Sequence, residues 1–333
     1  MGWKWSSVAG GFLQAAGCFL MAVPQIGCLY AGMGCIVLGT GLYAPNILSV
    51  IGNMYRDRQQ KMDAAMMLFY LAIDLGAFFG AIVFGLLVDI TSFTIGFITA
   101  GVLLSCSSLL VLFTRNTAVP APAGLMQPAQ ESPAGKLKQA ALICCIVLIP
   151  LFWIVMQISP KAGTMLSPDQ QLEGYLYAGL PSCVAMVCAV IFSIAWAFKT
   201  GSTLLRMSIG LLIHALSLSL LFVGISANFS LALVLSLLLQ GISEILVSPL
   251  ALSYISQHAP SKFRSTLTAV FLTMGGALSY QLVFACINKN TVGLWYPVLL
   301  TVALLVTAAF LAFHFLLRRT NSEAQEQELK EVQ

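Results

Sequence analysis

Residues 229–256 read FSLALVLSLLLQGISEILVSPLALSYIS, an apolar run with a single charged side chain, Glu244. About 20 mostly apolar residues are needed to cross a bilayer as a helix, whereas a membrane β-strand needs only about 9–11 alternating ones. The run is therefore a membrane-spanning helix, the form in which every backbone polar group is satisfied within the segment. Working outward, similar runs occupy 6–24, 28–52, 66–89, 93–114, 139–160, 174–198, 203–225, 265–287 and 293–317. The sequence predicts an all-α, polytopic membrane protein with about ten transmembrane helices.

Composition excludes most other classes. The 333 residues are 59% hydrophobic and 8% charged, against about 25% charged in a soluble domain. So few charges cannot cover a water-facing surface, and the main partner is the lipid bilayer. The net charge of +4 is spread along the chain, with no basic stripe for nucleic acid. The nine cysteines lie almost entirely inside apolar runs and form no CxxC pair. They predict small apolar packers, with no disulfide and no metal site. The first run lacks a small-residue cleavage pattern and reads as a mature span rather than a signal peptide.

Basic residues set the orientation. With the N-terminus inside, fourteen of the sixteen lysines and arginines fall on the cytoplasmic side and only Lys161 and Lys289 on the other. Both termini are thus expected in the cytoplasm. Residues 115–138 (RNTAVPAPAGLMQPAQESPAGKLK) are rich in Pro, Ala and Gly and predict a flexible cytoplasmic linker. The expected organisation is a four-helix bundle over 1–114, this linker, a six-helix bundle over 139–318, and a polar cytoplasmic tail over 319–333.

Charges within spans are the main functional signals. Asp74 lies about 12 Å into the third span at 1.5 Å per residue, and Glu244 lies past the middle of the eighth. Both fall near the midplane, where transporter sites sit. Facing an aqueous cavity, each could hold a cationic group or take up and release a proton. The alternative is a buried acid satisfied by a neighbouring hydroxyl. Asp89 lies at a span end and is set aside. Pro249 removes a helix hydrogen bond five residues after Glu244, as in a moving gate or in an inert span. Gly32, Gly34, Gly39 and Gly41 in GMGCIVLGTG allow close helix approach. Trp153 and Gln157, four apart, share a helix face as cavity wall and polar contact, or Trp153 is an interfacial anchor. His214, His258 and His314 are isolated and read as structural. No Walker loop or dinucleotide fingerprint occurs. No cofactor is expected, and an ion gradient is the energy source.

Residues 69–80, FYLAIDLGAFFG, resemble the fifth-helix FYxxINxG signature of the proton-dependent oligopeptide transporters, within the major facilitator superfamily. Residues 39–55 (GTGLYAPNILSVIGNMY) are similar to that family's fourth helix, 152–157 (FWIVMQ) to its seventh, and 240–260 (QGISEILVSPLALSYISQHAP) to its tenth. The motifs keep the family's order across nearly the whole chain. The resemblance implies two bundles rocking around a central peptide site. It also implies a partial fold of four plus six helices, lacking the first two and the ExxER proton-coupling motif. Glu244 is retained, where the family binds the peptide amino terminus, as are Ser248 four residues on and Trp153. Asp74 stands where the family has Asn, Ala44 where it has a basic residue, and Leu180 where it has Asn before Pro.

The resemblance implies proton-coupled transport of di- or tripeptides, or of related amine-bearing solutes, by alternating access. The expected substrate-binding residues are Glu244, Asp74, Tyr70, Trp153, Gln157 and Ser248, with Glu244 and Asp74 also carrying the proton. Two acids without a midplane cation favour amine-bearing or cationic solutes over ordinary peptides. The expected location is the bacterial plasma (inner) membrane. A second reading is a truncated, non-transporting remnant or a membrane protein that needs a partner. A third, an intramembrane enzyme using the two acids, lacks supporting flanking motifs, so no enzyme activity is expected.

Overall fold

A computed structural model describes residues 3–55, 58–114, 133–166, 171–198, 201–227, 230–260, 263–275 and 292–332. In these, ten helices follow one another: α1 (Trp3–Met21), α2 (Ile26–Met54), α3 (Gln59–Ile90), α4 (Phe93–Phe113), α5 (Pro133–Leu166), α6 (Gln171–Phe198), α7 (Thr203–Ala227), α8 (Ser230–His258), α9 (Arg264–Thr273) and α10 (Val292–Val332). No strand occurs among the described residues.

Eight of these helices are long and apolar enough to cross a membrane. Of the other two, α1 carries Ser6, Ser7, Gln14 and three glycines within its 19 residues. The span expected at 265–287 is described only as far as Gly275. Large apolar side chains such as Phe79, Val83 and Leu86 are more than half exposed. In water that would be costly, whereas against hydrocarbon it costs nothing. Hydroxyls within the spans are mostly satisfied locally: Thr99, Ser105, Ser208 and Thr307 each donate to the carbonyl four residues back, at 2.7–2.8 Å.

Two boundaries differ from the sequence expectation. Helix α5 starts at Pro133, so the last residues of the stretch read as a flexible linker are helical. Proline suits this start because it has no N–H to leave unpaired in the first turn. At the other end, α10 runs on through the polar tail to Val332.

The chain divides into two compact units: Met1–Met54 with Leu75–Pro122 and Lys262–Ala269, and Tyr55–Asp74 with Ala123–Ser261 and Val270–Gln333. Helix α3 contributes its first half, through Asp74, to the second unit and its remainder to the first. In the first unit, α1 packs on α2 and α4. Its antiparallel crossing with α2 depends on paired glycines. A Cβ on Gly39 would lie 2.5 Å from the Gly10 carbonyl oxygen, and one on Gly32 2.6 Å from that of Gly17. Gly34 and Gly41 have open space around them, so half of the glycine stretch is a packing seam and half faces away. Lys4 Nζ donates to the Thr114 carbonyl at 2.8 Å, and Arg264 Nη1 donates to Asn53 Oδ1.

In the second unit α8 is the hub, packed on α5, α6 and α7. From Ile245 to Ile255 every side chain is buried. Small residues allow this: Gly210 of α7 sits against Leu246 and Val247, and Gly241 against the Pro181 carbonyl of α6. Polar bonds add register. Ser217 Oγ donates to the Ser236 carbonyl at 2.7 Å, and Gln240 Nε2 to the Met156 carbonyl at 3.0 Å.

Candidate functional site

Within the second unit, α3 and α8 bring the two intramembrane acids together. Helical periodicity sets Tyr70 and Asp74 one turn apart on α3, and Gln240, Glu244 and Ser248 on successive turns of one face of α8. Tyr70 is buried, its hydroxyl is directed at Ser248, and it lies within electrostatic reach of both Glu244 and Asp74. The two carboxyls also lie within reach of one another. Two such carboxylates repel when both are charged, so a bound cation or proton relieves the pair.

Trp153 comes from α5. Its ring lies 6.4 Å from that of Tyr70, tilted by 44°, and 6.2 Å from that of Phe152. A Cβ on Gly275 would stand 3.2 Å from its Cδ1, so Gly275 makes room for the indole. Trp153 is thus held among side chains of its own unit, beside Tyr70. The side chain of Gln157 lies outside the described residues.

The site holds polar atoms that its own side chains leave unpaired. Asp74 Oδ2 and Gln240 Oε1 are buried without a hydrogen-bond partner. Buried polar groups are nearly always paired, so these atoms have unused hydrogen-bonding capacity. Helix α8 runs unbroken through Pro249. The missing N–H leaves the Ile245 carbonyl without its usual helical partner, beside Glu244 in the chain. Gln240, which ties α8 to α5 one turn before Glu244, was not singled out in the sequence. Its place four residues before the acid was the available signal.

A second polar cluster went unnoticed in the sequence because it centres on an acid just before the apolar run of the third span. Asp63, on the first turns of α3, is 3% exposed. It accepts from Arg206 Nη1 at 2.8 Å, from Thr203 Oγ1 at 3.1 Å and from Ser253 Oγ at 2.5 Å. The Arg206 guanidinium also lies 4.5 Å over the Trp196 ring. The histidines, read as structural, separate in role. His214 packs on Phe152 with ring centroids 4.4 Å apart, while His258 and His314 line a cavity with Asp63 and Arg206. No metal-binding cluster occurs among the described residues.

Comparison with known proteins agrees with this architecture. The sequence profile of the Major Facilitator Superfamily matches residues 1–280. The chain belongs to the Major Facilitator Superfamily, a family of membrane transporters rather than enzymes. Among its relatives is the dipeptide and tripeptide permease B of Photorhabdus luminescens, 27% identical over 119 residues, which are 35% of this chain and 24% of the permease. This chain therefore aligns with about a quarter of that relative's length. An uncharacterized transporter of Bacillus subtilis, YclF, is 23% identical over 362 residues, 86% of this chain and 72% of that one. Among solved structures, a peptide transporter POT in complex with sulfate matches with a TM-score of 0.68 at 21% identity, covering 96% of this chain and 81% of that one. A POT family transporter in complex with a thioalcohol-conjugated peptide gives 0.69 at 21% identity, covering 95% and 82%. The superfamily transporter FucP in the outward conformation gives 0.65 at 14% identity, covering 96% and 83%. These structures share the fold, and peptide transporters are among both the sequence relatives and the structural neighbours.

Proposed function

We propose that this protein is a proton-coupled secondary transporter of di- or tripeptides, or of related amine-bearing solutes, working by alternating access. The observation that carries this reading is the pairing of Asp74 and Glu244 beside Tyr70, Ser248 and Trp153, with Asp74 Oδ2 left unpaired. Glu244 receives the substrate amine, Asp74 supplies a second anionic contact, and either acid carries the proton. Tyr70 and Trp153 form the walls, and Gln157, four residues after Trp153 in the sequence, is the expected further polar contact.

Among the described residues no lysine or arginine is ion-paired with either acid. A peptide zwitterion needs a cation for its carboxylate, so the site favours solutes whose amine dominates. No resident cofactor is required, because the proton gradient supplies the energy. The proposed location is the bacterial plasma (inner) membrane, in line with the resemblance to peptide transporters, and the bias of the basic residues supports cytoplasmic termini.

The test is uptake of a labelled dipeptide and of a labelled cationic amine. Cells expressing the chain, in a strain without its own peptide transporters, are assayed with and without an uncoupler. Uptake that collapses with the gradient, and falls by at least about tenfold in Glu244→Gln, is the expected result. No uptake of either probe by a chain shown to be in the membrane overturns the proposal.

A further inference from the structure

The second unit carries a cavity of about 430 Å3 away from the paired acids, well within the range of about 300–1,000 Å3 of ligand pockets. It opens where α5 and α7 begin and α8 ends. Its walls include Lys138, Arg206, His258, His314 and Arg318, with Asp63 as its acid. Asp63 is matched by Arg206 and further held by Thr203 and Ser253. Among the described residues neither Lys138 nor Arg318 is in an ion pair, and both are exposed. The cavity therefore has an excess of positive charge. The N-terminus of α7, at Thr203, adds the positive end of a helix dipole.

A second, almost wholly apolar groove of about 440 Å3 adjoins it. Phe192 and Trp196 of α6, Ile209 and Ile213 of α7, and Ile242 and Leu246 of α8 line it. Gly201, Ser202 and Arg206 belong to both cavities. Arg206, bound to Asp63 on one side and stacked over Trp196 on the other, stands at the join. A cationic pocket at helix ends that continues into an apolar groove between spans has the two halves of an anionic phospholipid, headgroup and acyl chain.

We propose that this face binds one anionic phospholipid. Its phosphate lies in the pocket against Lys138 and Arg318, and an acyl chain lies along the α6–α7–α8 groove. The shared lining residues and the change from charged to apolar walls favour a lipid over a free phosphate, which has no use for the groove. The lipid site is independent of which solute the protein transports.

The full-length protein, purified in mild detergent, is tested for retention of phosphatidylglycerol against phosphatidylcholine by native mass spectrometry. Lys138→Gln and Arg318→Gln are each expected to weaken phosphatidylglycerol retention about fivefold and together about 25-fold. Ile209→Trp, which fills the groove from an exposed position, is expected to weaken it as well. Arg319→Gln, at an exposed residue paired with Glu323 outside the pocket, leaves it unchanged. Lys138→Arg with Arg318→Lys keeps retention and shows that loss in the neutral pair is a charge effect. Equal retention of the two lipids, or no change in the neutral double variant, overturns the proposal. Displacement of the lipid by inorganic phosphate with no effect of Ile209→Trp overturns it in favour of a free anion. Neither readout depends on transport, so a failed uptake assay leaves this test intact.

Discussion

At the scale of residues, the protein uses the acids at and within its spans in two different ways. Asp63 is saturated: Arg206, Thr203 and Ser253 all donate to it, so it acts as a structural acceptor. Removing one partner of such a buried pair costs about 3–5 kcal/mol, because the other charge stays behind. Asp63→Ala is expected to lose that much stability, read as a lower denaturation midpoint in detergent. The conservative Asp63→Asn keeps part of the network and loses less. Asp74 is the opposite case, with one carboxyl oxygen buried and unpaired. A saturated acid has no capacity left for a solute, whereas Asp74 does. Asp74→Asn is expected to weaken competition by a cationic amine against dipeptide uptake by about tenfold, while the protein stays folded. An unchanged inhibition curve would remove Asp74 from the substrate site.

At the scale of elements, glycine spacing decides how closely helices approach. Gly10 and Gly17 on α1 meet Gly39 and Gly32 on α2 backbone to backbone, at seven-residue intervals on both helices. At Gly39 the obstacle to a side chain is a carbonyl oxygen of α1, which cannot rotate away. Gly39→Ala is therefore expected to cost about 1–3 kcal/mol, seen as reduced thermal stability. Gly41→Ala, two positions on in open space, is expected to be neutral or slightly stabilising, since alanine is the better helix former. Equal effects at the two positions would contradict the packing seam. Helix α8 follows the same logic in the second unit: Gly241 admits Pro181 of α6, while α7 supplies Gly210 opposite Leu246. This close packing holds the Gln240, Glu244 and Ser248 face at a fixed rotation.

At the scale of the whole molecule, the basic residues carry the prediction. Their bias predicts that residue 321, next to Arg318 and Arg319, faces the cytoplasm. In a background with the native cysteines replaced, Asn321→Cys is expected to react with a membrane-impermeant maleimide only in inverted vesicles. Labelling from the outside of intact cells would reverse the orientation. The helical class, the approximate spans and the pair of intramembrane acids were all legible in the chain. Hydrocarbon imposes a length and an apolarity on every crossing, and each exception to that rule is visible by itself. The packing role of the glycine stretch was legible too, although the choice of Gly32 and Gly39 over Gly34 and Gly41 was not, since that depends on which side of α2 faces α1.

Each segment's own residues thus dictate what it must do alone: cross lipid as a helix, bias its ends by charge, and carry Asp74 and Glu244 at depth. Which residues meet is settled by the folded molecule. It joined Tyr70 and Asp74 of α3 to Glu244 and Ser248 of α8, residues some 170 positions apart. It also gathered Asp63, Arg206 and Ser253 into one knot, and set Lys138 and Arg318 around one cavity. Insertion into lipid is a local property of about 20 residues. Contact between spans depends instead on helix rotation and close packing, which no single segment encodes.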